Sequence, residues 1–163
     1  MTLLGANVDE ATRQQVEALN TRYIRAIDDD QLEAWPELFV ENCLYRIVTR
    51  ENFDRGFTLP LMECASRGML IDRVTGYRRV NIYEPQRYTH LLSGLAIERI
   101  DASRVACRQN YLVIRTMVTG EMAIFSAGVY LDKVIFGESG ARFEERIVVQ
   151  ASRRIDTLLV IPL

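Results

Sequence analysis

A long β-hairpin is the feature that most constrains this chain. Two arms rich in β-branched and aromatic residues fill the stretch 103–135 and flank a glycine-containing turn at 119–121. Such arms around such a turn are typical of paired antiparallel strands. Because alternate strand residues face opposite sides, Val129 should lie on one face and Ile124 on the other. Both faces are then apolar, and a sheet of that kind needs two covers. Helices of this chain can supply one cover, and another chain the second.

The residues before the hairpin predict helices. A first helix of about five turns is indicated by apolar side chains at helical spacing, and these are Val16, Leu19, Tyr23 and Ile27. Asn7 with Glu10 predicts its cap, and the acidic run 28–30 predicts its end. Asp30 is expected to cap a second, short helix that breaks at Pro36, because proline lacks an amide donor.

The remaining segments complete an α+β pattern. Residues 50–57 are predicted to be a loop and residues 58–74 an uneven helix. Strands are predicted at 43–48, 89–100 and 142–155. Helices first and strands afterwards predict N-terminal helices packed on a curved, antiparallel or mixed sheet. The 163 residues suffice for one domain with its own core, residues 1–163.

Charge and cysteine content exclude several classes of protein. The net charge is −2, which gives no electrostatic reason to expect nucleic acid or a membrane surface as a partner. No apolar run reaches membrane length, and no signal peptide is visible. Cys43, Cys64 and Cys107 are widely spaced and predict free thiols in a reducing cytoplasm.

The single histidine, His90, limits metal chemistry. A site with two histidines and a carboxylate for iron cannot be built from one histidine, and a Rieske cluster needs two. No nucleotide-binding motif of the GxGxxG or Walker type is present. We therefore expect no cofactor and no metal in this chain.

Two interpretations of His90 remain open on the residues alone. It could abstract a proton in a closed apolar pocket, or it could simply hydrogen-bond a backbone group or a partner chain. The candidate companions for catalysis are Asp28, Asp29, Asp30, Tyr45 and Tyr111.

Arginine, tyrosine and apolar residues also indicate a subunit interface. Tyrosine and arginine are enriched at interface hot spots, and an apolar C-terminal tail should dock on something. The candidate interface residues are Arg78, Arg79, Tyr83, Arg87, Tyr88, Arg153, Arg154, Leu158, Leu159 and Pro162.

Several segments together resemble a known family. The segment Asp-Asp-Asp-Gln-Leu-Glu-Ala-Trp-Pro-Glu-Leu-Phe, which begins at Asp28, resembles the entry to the cone-shaped NTF2-like, SnoaL-like fold. Residues 69–74 and 87–91 resemble a helix and a strand of the small (beta) subunits of Rieske-type aromatic-ring-hydroxylating dioxygenases. The ending 146–163, with its Val-Val pair, Arg-Ile step and Leu-rich tail, is the closest match. Gln150 and Ala151 depart from the pattern, since the family often has an aspartate there.

The resemblance implies a non-catalytic structural subunit. A larger alpha subunit would hold the Rieske [2Fe–2S] cluster and a mononuclear non-haem iron, and the two chains would form an alpha3beta3 assembly on a trimer of this chain. The loop 81–85 resembles the members that act on salicylate, anthranilate or other benzoate-type acids. The alternative is a stand-alone SnoaL-like isomerase or dehydratase that uses His90, with Asp29, Tyr45 and Tyr111 as its companions.

Overall fold

The computed structural model describes residues 8–57, 59–79, 84–154, 159 and 161–163. Three α-helices, two short 3-10 turns and six strands follow one another in these residues. In chain order they are α1 (Glu10–Asp28), 3-10 turns at Leu32–Ala34 and Pro36–Leu38, β1 (Phe39–Thr49), α2 (Arg50–Asp54), β2 (Met62–Cys64), α3 (Arg67–Arg79), β3 (Gln86–Arg99), β4 (Arg104–Met117), β5 (Met122–Gly137) and β6 (Gly140–Gln150).

The strands form one sheet in the order β2-β1-β6-β5-β4-β3. Neighbours are antiparallel except β1 and β6, which run parallel. Residues of α1 and α3 join the main core on one face, and a smaller apolar cluster around Val149 and Ile147 occupies the other. The predicted α+β architecture with a mixed sheet is confirmed.

Helix α1 follows the predicted apolar stripe. Val16, Leu19, Tyr23 and Ile27 are all buried. The cap is Asp9, whose carboxylate accepts a hydrogen bond from the Thr12 amide at 2.7 Å, while the predicted cap, Asn7, lies outside the described residues. The helix ends at Asp28 because Asp30 adopts a left-handed φ of 55°, which stops helical propagation.

The predicted hairpin is confirmed as β4 and β5, with its turn between Met117 and Met122. A β-bulge changes the pairing register from Val113–Ser126 to Ile114–Ile124, so one extra residue is inserted at Phe125. Beyond the bulge, Ser126 and Tyr130 turn inward and are buried, whereas Ile124 stays exposed. The simple alternation that places Ile124 and Tyr130 on one face is therefore wrong.

Several predicted boundaries are also wrong. Residues 50–54 form the short helix α2 rather than a loop, with the Thr49 hydroxyl as its cap. The predicted helix over 58–74 contains strand β2, and α3 begins only at Arg67. Asp30 does not cap a second α-helix. Two 3-10 turns follow it instead, they are divided before Pro36, and neither has a side-chain cap. The last strand ends at Gln150, short of the predicted 155.

Candidate functional site

A cavity of about 750 Å³ opens where the end of α1 meets α3 and the adjoining ends of β3 and β4. Pockets of this size hold small organic molecules in many proteins. The lining is part aromatic, part aliphatic and part polar, and consists of Ile27, Asp28, Asp30, Leu32, Tyr77, Arg78, Pro85, Gln86, Arg87, Tyr88, Thr116, Met117, Val118 and Ile161.

Asp28 and His90 form a close pair beside this cavity. One carboxylate oxygen of Asp28 lies 2.5 Å from His90 Nδ1, and the other accepts the His90 backbone N–H at 2.8 Å. The imidazole is fully buried, and the Asp28 side chain is 20% exposed. The Asp28 carboxylate thus holds the backbone of β3 at His90 and also sets the orientation of the imidazole ring, as carboxylates bonded to histidine do in other proteins.

The pair also explains why an aspartate can end α1. A negative charge at a helix C-terminus is disfavoured by the helix dipole. Here the two donors of His90 compensate that charge. Because the ring donates through Nδ1, the lone pair of a neutral imidazole stays on Nε2. Nε2 is buried and has no hydrogen-bond partner in the described part of the chain.

The other proposed companions of His90 lie elsewhere. Asp29 is the exposed C-cap residue of α1. Tyr45 bonds through its hydroxyl to Leu163, at 3.0 Å to the amide and 3.1 Å to the carbonyl. Tyr111 bonds to the Ser126 hydroxyl at 2.9 Å. Among the described residues, therefore, only Asp28 of the candidate set hydrogen-bonds His90.

A second polar cluster is buried in the core and was missed from the sequence. Arg146 binds Asp132 through two hydrogen bonds, at 2.7 and 2.8 Å, and Asn20 at 2.6 Å. Its guanidinium carbon lies 4.0 to 4.2 Å from three aromatic ring centroids, those of Tyr23, Tyr130 and Phe143. Burial raises the pKa of the Asp132 carboxyl, against the opposing effect of Arg146. The sequence signal that could have indicated this cluster is the single aspartate, Asp132, in the largely apolar segment 129–135, which pairs with Arg146 of the next strand.

The three thiols are unsuited to nucleophilic attack. All are buried and free. Burial raises the pKa of Cys43 to about 11 and that of Cys107 to about 12, and it raises that of Cys64 as well. Thiols of this kind stay protonated near neutral pH, whereas the thiolate is the nucleophile. The residues that the structure describes include no group of three or more histidine, cysteine, aspartate or glutamate side chains that could hold a metal ion.

The predicted interface residues fall into two groups, arginines at the surface and apolar or aromatic residues buried within the chain. Arg78 is held by Asp30 and Glu33, each at 2.7 Å, and Arg153 pairs with Glu51 at 2.7 Å. Exposed positions are taken by Arg79, Arg87, Arg153 and Arg154, whereas Tyr88, Leu159 and Pro162 are buried within the chain itself. The Leu159 carbonyl accepts a hydrogen bond from Arg73. Tyr83 and Leu158 lie outside the described residues.

One face of the hairpin carries uncovered apolar side chains. Cross-strand register aligns Leu91 with Leu112, and Ile114 with Ile124, on the face opposite His90. Met122 is 64% exposed, Ile124 72% and Val118, in the adjoining turn, 74%. We call Leu91, Leu112, Ile114, Val118, Met122 and Ile124 the outer apolar surface. Contiguous exposed apolar patches of this kind mark interaction sites.

Comparisons with known proteins agree with one another. The profile of the SnoaL-like domain family matches residues 10–147. The anthranilate 1,2-dioxygenase small subunit of Burkholderia cepacia is 39% identical over 155 residues, covering 95% of this chain and 96% of that one. A beta subunit of the terephthalate 1,2-dioxygenase terminal oxygenase component of a Comamonas species is 38% identical, covering 91% and 97%.

A solved structure that is similar to this chain is also a dioxygenase beta subunit. It is the beta subunit of a candidate aromatic-ring-hydroxylating dioxygenase from Novosphingobium aromaticivorans, with a TM-score of 0.87 and 34% identity, covering 94% of this chain and 98% of that one. The described helices include none long and apolar enough to cross a membrane.

Proposed function

Because this chain belongs to the SnoaL-like small (beta) subunits of aromatic-ring-hydroxylating dioxygenases, we propose that it is the structural subunit of such an oxygenase in aromatic catabolism. The observation that carries this proposal is the 39% identity to a dioxygenase small subunit over nearly the full length of both chains. We infer that the reaction takes place on a larger alpha subunit. That subunit would hold the Rieske [2Fe–2S] cluster and the mononuclear iron, for which the described residues of this chain offer no cluster of ligands.

The substrate of the complex is proposed to be a benzoate-type acid. The names of the two curated relatives refer to anthranilate and terephthalate, which are both aromatic carboxylates. The loop 81–85 gave the same expectation from the sequence. In this proposal the residues that select the acid belong to the alpha subunit, since this chain is assigned no catalytic residue.

The outer apolar surface is proposed as a subunit contact. Its strands are well packed on the His90 face, yet Met122 and Ile124 project from the opposite face without a cover. Arg87 lies at its rim, because Arg87 pairs with Thr116, which in turn pairs with Met122. An apolar centre with an arginine at the rim is typical of protein interfaces.

The first experiment is the solution mass of the chain, alone and coexpressed with the alpha subunit. We expect a trimer alone and an alpha3beta3 hexamer that contains iron with the partner. A monomer that joins no large chain would contradict the subunit proposal. It would favour instead the stand-alone isomerase or dehydratase, with His90 as its base.

The substitution Ile124→Asp tests the contact. A charge on a desolvated apolar surface is costly, so we expect the variant to lose the trimer, the hexamer or both while it remains folded by circular dichroism. The matched control is Leu59→Asp, which changes a side chain of similar exposure, 76%, outside this surface. Loss of assembly in the control alone would place the contact elsewhere.

A further inference from the structure

We propose that the cavity at the end of α1 binds an aromatic carboxylate, with the carboxylate group at Arg87 and the ring against the aromatic wall. The ligand class follows from the lining of the cavity, so the inference does not rest on the proposed subunit role. It depends on three observations: one arginine of the lining has no partner, the other charged residues of the lining have partners, and the wall is aromatic and aliphatic.

Arg87 is the cation of the lining that remains open to an anion. It is exposed, and its side chain makes no ion pair or hydrogen bond with the residues that the structure describes. Cross-strand register pairs Arg87 with Thr116, which also lines the cavity. Paired residues of antiparallel strands lie on the same face of the sheet, so the Thr116 hydroxyl is close to the guanidinium. A guanidinium binds a carboxylate through two parallel N–H bonds, and the hydroxyl can donate a third bond.

The other charged residues of the lining are occupied. Arg78 holds Asp30 at 2.7 Å, which compensates that carboxylate. Asp28 accepts two hydrogen bonds from His90, one from the backbone and one from the ring. The lining therefore offers an entering anion one cation without a partner, Arg87, while both of its carboxylates already bind donors.

The wall suits a ring. Tyr77 and Tyr88 line the cavity, and the Tyr88 ring is held by Phe125, with centroids 5.1 Å apart, and by an edge contact to the His90 ring at 6.3 Å. Fixed aromatic faces bind aromatic ligands in offset or edge-to-face contacts. The aliphatic part of the lining adds apolar contact area, and it consists of Ile27, Leu32, Met117, Val118 and Ile161. A cavity of about 750 Å³ has room for one ring and its carboxylate.

The test is a calorimetric titration of the purified chain with benzoate, benzamide and acetate. We expect saturable binding of benzoate. Benzamide has the same ring and a similar shape but no charge, and loss of a charge-assisted hydrogen bond should weaken binding about tenfold or more. Acetate carries the charge without the ring and should give no saturable binding over the same concentrations. Since His90 is the only histidine and contacts Asp28 and Tyr88 of the lining, shifts of its imidazole NMR signals with benzoate place the ligand in the cavity.

Two variants test the role of the cation. Arg87→Gln changes an exposed side chain, so the chain should stay folded, and benzoate should then bind no better than benzamide. Arg79→Gln, at an exposed position of α3 outside the cavity lining, is the matched control and should keep the preference for benzoate.

The proposal is overturned if benzamide or acetate binds the unchanged chain as tightly as benzoate, or if no ligand binds saturably. It is equally overturned if Arg87→Gln keeps the preference for benzoate or if Arg79→Gln loses it to the same extent. The solution mass with the alpha subunit is a separate measurement, so this proposal and the subunit proposal fail separately.

Discussion

The ion pair between Arg146 and Asp132 should be the most sensitive pair of residues in the core. Removing one partner leaves a buried charge without compensation. We expect Arg146→Met to lower the free energy of unfolding by about 3–5 kcal/mol, measured by urea denaturation. The neighbouring register pair, Lys133 with Glu145, is exposed to solvent. Its variant Glu145→Gln should cost about 0–1 kcal/mol, and an equal loss in both variants would contradict the argument.

The Asp28–His90 pair should be a stabilising contact in this chain. Asp28→Asn replaces a carboxylate that accepts two hydrogen bonds from His90. We expect a loss of about 1–3 kcal/mol in the free energy of unfolding, measured by urea denaturation. Asp29→Asn, at the exposed neighbouring position, is the control and should change little.

His90→Ala separates stability from chemistry. For a structural subunit we expect reduced stability or assembly, while complexes that do assemble keep their iron and their hydroxylation rate. Lost hydroxylation in an intact complex with full iron content would argue for a catalytic His90.

The sequence singled out His90 but could not select its partner. Three consecutive acids end α1, and which of them faces β3 depends on the exact residue at which the helix stops. That residue is set by the left-handed Asp30, which helical periodicity does not reveal. Tyr45 and Tyr111 were plausible companions for the same reason, since their bonds to Leu163 and Ser126 join segments far apart in the chain.

Strand β5 has no room for a side chain at Gly128, where the backbone of β6 lies close by. A Cβ built there would lie 2.0 Å from the Val149 carbonyl oxygen and 3.1 Å from the Tyr111 ring. The Val149 backbone cannot move aside without disturbing the sheet. We therefore expect Gly128→Ala to lower the free energy of unfolding by about 1–3 kcal/mol or more, as overpacked sites do. Gly76→Ala, in α3, meets nothing within 4 Å and should stabilise by about 0.5–1 kcal/mol. Thermal unfolding of both variants checks this contrast, and a stable Gly128→Ala variant would refute the close approach.

Long elements were predictable and short ones were not. Helix α1 and strands β4 and β5 are long enough for the spacing of apolar residues to repeat several times, so chance placement of single residues does not hide it. Helix α2 and strand β2, with 5 and 3 residues, are too short to show a period. The bulge at Phe125 was hidden because the residues on both sides of it are apolar, so the change of face left no mark in the sequence.

For the whole molecule, buried thiols and phenols should make stability fall at alkaline pH. Burial raises the pKa of Cys107 from 9.0 to about 12 and that of Cys43 to about 11. The folded chain therefore holds these protons more tightly than the unfolded chain. The resulting stability is complete below pH 9 and is lost as pH rises towards 12. Urea unfolding at pH 7, 9, 10 and 11 measures this loss. Cys107→Val should lose stability less steeply over that range, and an unchanged slope would contradict the assignment.

The parallel pairing of β1 with β6 has a consequence for synthesis on the ribosome. Strand β1 emerges early, yet its neighbour in the middle of the sheet, β6, is the last of the six described strands to be made. Until β6 emerges, the pair β1 and β2 cannot join β5, β4 and β3 in one sheet. Late pairing of strands that are far apart in the sequence slows folding, and it leaves intermediates whose exposed apolar surface makes them prone to aggregate. We therefore expect a chain that stops before β6 to be unable to complete the sheet, because it would lack the strand that joins β1 to β5.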